Sequence, residues 1–146
     1  MELSWVGQKR RRTYSVAIGG ANQWRYEPDE HPKRKHHWRR NVAGFVTQGG
    51  AIVGKCPSGI TTETAEAMLN NGVPWSPLRW RHDYPKRIYN ILDGVVYRAV
   101  PTNPGVSYHG FPERLEHLPT ELIGPLLALA EALGERERIE RWLKEK

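Results

Sequence analysis

The chain has 146 residues, 38% of them hydrophobic, with a mean hydropathy of −0.67 and a net charge of +6. That length suits one domain with a core of its own, and no stretch approaches the roughly 18 consecutive apolar residues of a membrane helix. A single cysteine, Cys56, excludes an intramolecular disulfide and points to a reducing, cytoplasmic setting.

The placement of the charge matters more than its size. Residues 1–40 hold ten Lys and Arg against four Asp and Glu, whereas residues 41–146 hold twelve of each. The excess sits in Lys9-Arg10-Arg11-Arg12 and in Lys33-Arg34-Lys35-His36-His37-Trp38-Arg39-Arg40. Such asymmetry predicts a basic, largely irregular N-terminal segment that meets phosphates or an acidic partner. Met1 to Arg12 has no apolar stretch of the kind a signal peptide needs. One strand is expected at Thr13–Ile18, ahead of Gly19-Gly20.

From Ala43 the pattern sharpens. Ala43–Gln48 and Ala51–Cys56 flank Gly49-Gly50 and predict a hairpin. Thr61 or Thr62 can cap a short helix that runs to Asn70 or Asn71, with Gly72 ending it. Residues 73–85 form a proline-punctuated loop that carries Trp75, Trp80, His82, Asp83 and Tyr84.

Asp93-Gly94 between β-forming runs is a preferred type I′ turn. It predicts a second hairpin in which Leu92 faces Val95, Asn90 faces Tyr97 and Ile88 faces Ala99. One face then carries Ile88, Leu92, Val95, Tyr97 and Ala99 and reads as core, Asn90 excepted. The other carries Arg87, Tyr89, Ile91, Val96, Arg98 and Val100 and reads as a site. After a turn-rich loop to Pro112, Leu122, Leu126, Leu129 and Leu133 recur at helical spacing. That predicts a buried helix starting at Pro125, broken by Gly134 and followed by an amphipathic helix on Ile139, Trp142 and Leu143. The whole reads as an α+β domain over 41–146. Its antiparallel sheet is built from two hairpins, about 43–56 and 87–100, with a short helix between them and the C-terminal helices on one side.

Three motifs resemble sites without meeting their chemistry. Gly49 to Cys56 approaches a phosphate-binding loop, but Cys56 replaces the hydroxyl that holds magnesium and Pro57 blocks the helix. His31, His36 and His37 sit in a basic run and lack the paired Cys or His spacing of a zinc site. Cys56 has no cysteine-enzyme signature around it. Neither a metal nor a cofactor is expected.

The remaining constellation joins His82, Lys86, Arg98, Tyr108 and His109 around the second hairpin. Metal-independent RNA cleavage needs such a set: a base, an acid and cations for the phosphate. These five are the catalytic candidates. Lys9, Arg10, Arg11, Arg12, Lys33, Arg34, Lys35, Trp38, Arg39, Arg40, Arg87 and Tyr89 are the candidates for contacting nucleic acid. Trp24, Tyr26, Trp75, Trp80 and Tyr84 add rings on which single-stranded bases can stack. The leading expectation is a small nucleic-acid-binding protein, RNA favoured over DNA, with a ribonuclease or toxin-like effector as its catalytic form. The rival is a protein-interaction module whose basic segment docks an acidic protein.

Overall fold

The computed structural model describes residues 3–6, 11–14, 23–28, 44–48, 51–55 and 60–145, with 3–6, 11–14, 44–48 and 51–55 described by backbone alone. In chain order these give β1 (Leu3–Val6), β2 (Arg11–Tyr14), β3 (Arg25–Tyr26), β4 (Gly44–Gln48), β5 (Ala51–Lys55) and α1 (Thr62–Asn70). There follow β6 (Val73–Trp75), β7 (Arg87–Leu92), β8 (Val95–Asn103), β9 (Ser107–Pro112), α2 (Ile123–Ala132) and α3 (Arg136–Leu143). The class is α+β, around a five-stranded sheet in the order β3-β9-β8-β7-β6.

The sheet grows from its local turn. Asp93 and Gly94 both take positive φ, at 51° and 77°, as a type I′ turn demands. β7 and β8 pair with Leu92 against Val95, Asn90 against Tyr97 and Ile88 against Ala99. Arg138 of α3 donates to the Asp93 carbonyl at 2.7 Å and clasps the turn from outside. Asn90 is only 3% exposed, yet its amide donates to the Met68 carbonyl at 2.7 Å, near the end of α1. A polar residue on an apolar face is thus satisfied by a helix carbonyl that has no partner within its own helix.

Several expectations need correction. The sheet is mixed, because β3 pairs with β9 in parallel. The first hairpin, β4 with β5, forms a separate two-stranded sheet instead of joining the main one. The described strand near Thr13 is Arg11–Tyr14, and residues 15–18 lie outside the described residues. The hairpin face read as a site is a core face instead, the one that the C-terminal helices cover. Tyr89, Ile91 and Val96, assigned to the site face, are 0, 0 and 2% exposed and pack with Leu122, Leu126, Ala130, Leu133 and Ile139 from the C-terminal helices. The opposite face, with Ile88, Leu92 and Tyr97, meets Met68 and Leu69 of α1.

One sheet edge is closed and the other is blunted. Beyond β3, the Asn70 amide accepts from Trp24 N–H at 2.9 Å and donates to its carbonyl at 2.8 Å, while Glu66 accepts from Tyr26 N–H at 2.9 Å. Side chains of α1 so occupy the edge where a further strand would pair. At the other edge Pro74, central in β6, has no N–H to offer.

α1 is capped by Thr61, whose hydroxyl accepts from Thr64 N–H at 3.1 Å. Past its end a Cβ on Gly72 would fall 2.6 Å from both Ile88 Cγ2 and the Tyr89 carbonyl. The backbone carbonyl cannot rotate aside. Gly72→Ala is therefore expected to cost about 1–3 kcal/mol, the usual scale of overpacking, read as a lower urea midpoint with an unchanged slope.

α2 starts at Ile123, two residues ahead of the expected start, with Pro125 tolerated in the first turn. Gly134 at φ 73° ends it, with Glu135 N–H reaching the Ala130 carbonyl and Gly134 N–H the Glu131 carbonyl, a Schellman closure. No described helix is long and apolar enough to cross a membrane.

Candidate nucleic-acid interface

The chain between β6 and β7, residues 76–86, has no regular structure and is held by its own groups. Lys86 N–H donates to Ser76 Oγ at 3.1 Å and closes the base of the loop. Trp80 N–H turns back to the Pro77 carbonyl at 3.0 Å, and Trp80 Nε1 donates to the Tyr84 carbonyl at 2.5 Å. Such closure by internal contacts makes a compact surface loop. The loop is also fastened from below, since Tyr108 donates its phenol proton to the Pro85 carbonyl at 2.6 Å. Tyr108 is fully buried, and burial, with Tyr84 nearby, raises its phenol above the ordinary tyrosine range, so it stays a donor.

Three rings cluster on this loop. His82 stacks on Tyr84 with centroids 5.2 Å apart and planes 22° apart. Trp80 stands edge-on to both, 4.6 Å from His82 and 5.7 Å from Tyr84. Lys86 Nζ lies 6.0 Å from the Trp80 ring. Arg79, Arg81, His82 and Lys86 are exposed, Trp80 and Tyr84 half-buried, and Leu78 wholly exposed at the tip. Asp83 is the one acidic residue between Ser76 and Lys86. Partly open aromatic rings beside cations form a surface on which bases can stack next to neutralised phosphates.

A second group lies under the sheet's other face. Arg87 donates to the Tyr89 hydroxyl at 3.0 Å, and Tyr89 donates to Glu113 Oε2 at 3.0 Å. Glu113 Oε1 stands 3.6 Å from Arg98 Nε, with the carboxylate side chain fully buried and Arg98 16% exposed. The guanidinium of Arg98 lies over Phe111 at 4.8 Å, and that of Arg87 over Trp75 at 4.9 Å. Burial, and next the Glu113 charge, push the Tyr89 phenol up to about 12. The Arg98 charge is thus balanced inside the fold, and Tyr89, with no exposed surface, offers no ring to a ligand.

His109 is 5% exposed. The Thr102 hydroxyl donates to the Glu27 carbonyl at 2.7 Å, and with its one proton so used it accepts from His109 Nδ1 at 2.6 Å. Tyr108 and His109 are neighbours on β9 and project to opposite faces. Tyr108 touches the loop that carries His82, through the Pro85 carbonyl. Of the catalytic candidates, the structure brings His82 and Lys86 together around Trp80, with Tyr108 beneath. Arg98 joins the Glu113 group and His109 the Thr102 group.

Arg11 and Arg12 fall in β2, opposite Val6 and Trp5. Lys9, Arg10, Lys33, Arg34, Lys35, Trp38, Arg39 and Arg40 lie outside the described residues, as do His31, His36, His37 and Cys56. Trp24 and Tyr26 serve the fold: Trp24 packs edge-on to Tyr108 at 5.4 Å, and the Tyr26 hydroxyl accepts from Gly110 N–H at 3.3 Å. Residues 51–55 of the phosphate-loop look-alike are strand. A cavity of about 50 Å³ between α1 and the sheet is lined mainly by apolar groups, among them Met68, Leu69 and Ile88, and offers little for polar chemistry. Sequence reasoning missed Glu113, Glu66 and Asn70. The chain matches no family model, no curated protein and no solved structure.

Proposed function

We propose that this protein binds nucleic acid, with RNA favoured over DNA. The observation that carries the reading is the loop of residues 76–86, where three clustered rings and three exposed cations share one surface. The excess of basic residues in 1–40 supports it from the sequence, as a source of phosphate contacts. RNA is favoured because its sequence-tolerant binders combine such rings with backbone neutralisation on unpaired segments.

The test is affinity for a fluorescent RNA oligomer against salt. Changing Arg10, Arg11, Arg12, Lys33, Arg34 and Lys35 together to Gln is expected to weaken binding and flatten its salt slope. Each lost contact to a single strand should remove about 0.7 from the slope. Unchanged affinity and slope would assign these residues another task. Tight binding to polyglutamate but not to RNA would favour an acidic protein partner. Cleavage of the oligomer in the presence of a chelator, with a bell-shaped pH profile, would identify the catalytic form and direct attention to His82, the exposed histidine of the loop.

A further inference from the structure

We infer that the Trp80–His82–Tyr84 loop is a single-strand site that takes an unpaired base by its ring face, with little regard to which base it is. The inference rests on the nucleic-acid reading and names the class of ligand.

The first ground is where the polar handle of the platform points. Trp80 Nε1, the indole's one donor, is used inside the loop on the Tyr84 carbonyl. Trp80 therefore brings ring surface to a ligand and no hydrogen bond that reads a base edge. Every base has a stacking face, so recognition through ring faces tolerates any sequence.

The second ground is rigidity. The loop backbone and the Trp80 ring are fixed before any ligand arrives by the Lys86–Ser76 closure, the Trp80–Tyr84 bond and the Tyr108–Pro85 bond, and His82 and Tyr84 pack against that ring. Ordering rotamer-rich side chains normally costs binding energy, and preorganised rings avoid much of that cost.

The third ground is the form of the charge. Arg79, Arg81 and Lys86 are exposed around the rings, and Lys86 lies within reach of the Trp80 face. A backbone passing the rings meets cations on its way, while the base turns inward. A duplex keeps its bases stacked on one another and presents only phosphates, so it engages the cations and leaves the rings unused.

The experiment compares four probes of equal length by fluorescence anisotropy: oligouridylate, the same strand built from abasic units, an RNA duplex, and polyglutamate. The full chain is expected to bind oligouridylate more tightly than the abasic strand, because the two differ only in their bases. Trp80→Ala should lower oligouridylate affinity by about 5- to 150-fold, the range that corresponds to losing one stacked base. Affinity for the duplex, and the salt slope on both, should stay unchanged. Trp80→Phe keeps a ring and should recover much of the loss. It also guards against a folding defect, as does Tyr84→Ala with intact circular dichroism, which should show the same single-strand loss.

Equal binding of the abasic strand and oligouridylate, or equal losses on strand and duplex in Trp80→Ala, would overturn the stacking site while leaving a nucleic-acid binder. Failure to bind any of the three nucleic-acid probes would overturn the underlying reading itself.

Discussion

Replacing Glu113 by alanine is expected to destabilise the fold by about 3–5 kcal/mol, the range seen when one partner of a buried pair is removed. Its side chain is fully buried and serves three groups at once, as acceptor for the Tyr89 phenol and the Arg114 N–H and as counter-charge to Arg98. Alanine would leave a guanidinium only 16% exposed without its anion, and a phenol proton without its acceptor. Glu113→Gln keeps the shape and an acceptor for Tyr89 but loses the charge, so a smaller loss is expected.

The same group has a second readout, in pH. The Tyr89 phenol rises from 10.0 to about 12 through burial first and the Glu113 charge next. A tyrosine whose folded value lies above its unfolded one binds its proton more tightly when folded. Its contribution is whole below pH 10.0 and is lost as pH climbs toward about 12. Urea denaturation of the wild type across that window should show a falling midpoint, and Glu113→Ala should shrink the fall by removing the second cause. A loss below about 1 kcal/mol at neutral pH would mean that water already reaches the pair, because exposed pairs are worth that little.

What the sequence exposed and what it concealed divide along contact range. The Asp93-Gly94 turn was legible because two adjacent residues impose the backbone geometry and the pairing follows from it. The Thr61 cap was legible for the same reason. The parallel β3–β9 edge was not, since it is sealed by Asn70 and Trp24, which lie 46 positions apart. Nor was the true identity of the second sheet face. Arg87, Tyr89 and Arg98 look like a solvated surface in a list of residue types, and only Glu113, 24 positions beyond Tyr89, turns them inward. The separation of Tyr108 from His109 follows from strand alternation, yet depends on knowing that residues 107–112 are strand, where turn-forming residues suggested a loop. At the candidate site, Trp80, His82 and Tyr84 stood out by type and charge context. Their mutual packing came from a hydrogen bond between Trp80 Nε1 and a main-chain carbonyl, which no residue pattern encodes.

Leu126→Ala is expected to cost about 2–5 kcal/mol, and Leu129→Ala clearly less, although sequence spacing ranks the two alike. Both lie on α2, but Leu126 is wholly enclosed by the cluster that joins the C-terminal helices to Tyr89, Ile91 and Val96, while Leu129 is only partly buried against it. Truncation at Leu126 opens a cavity among neighbours fixed from several elements at once, including the sheet and the closing turn at Gly134. Little can collapse into it, and the cost of such a cavity grows with the volume that stays empty. At Leu129 the helix has solvent on one flank, so water and neighbouring side chains recover part of the loss. Domains of this size lose about 2–4 °C of Tm for each kcal/mol, so the two variants should separate clearly in a thermal melt. The order of the pair is the decisive result. An equal loss would mean that α2 is enclosed on both flanks, and a larger loss at Leu129 would rotate the helix on the sheet and move the core away from Tyr89. Because the Trp80 loop is fastened through Tyr108, which packs on the opposite face among Leu69, Ile88 and Ala99, Leu126→Ala should leave single-strand affinity intact at temperatures where the variant remains folded.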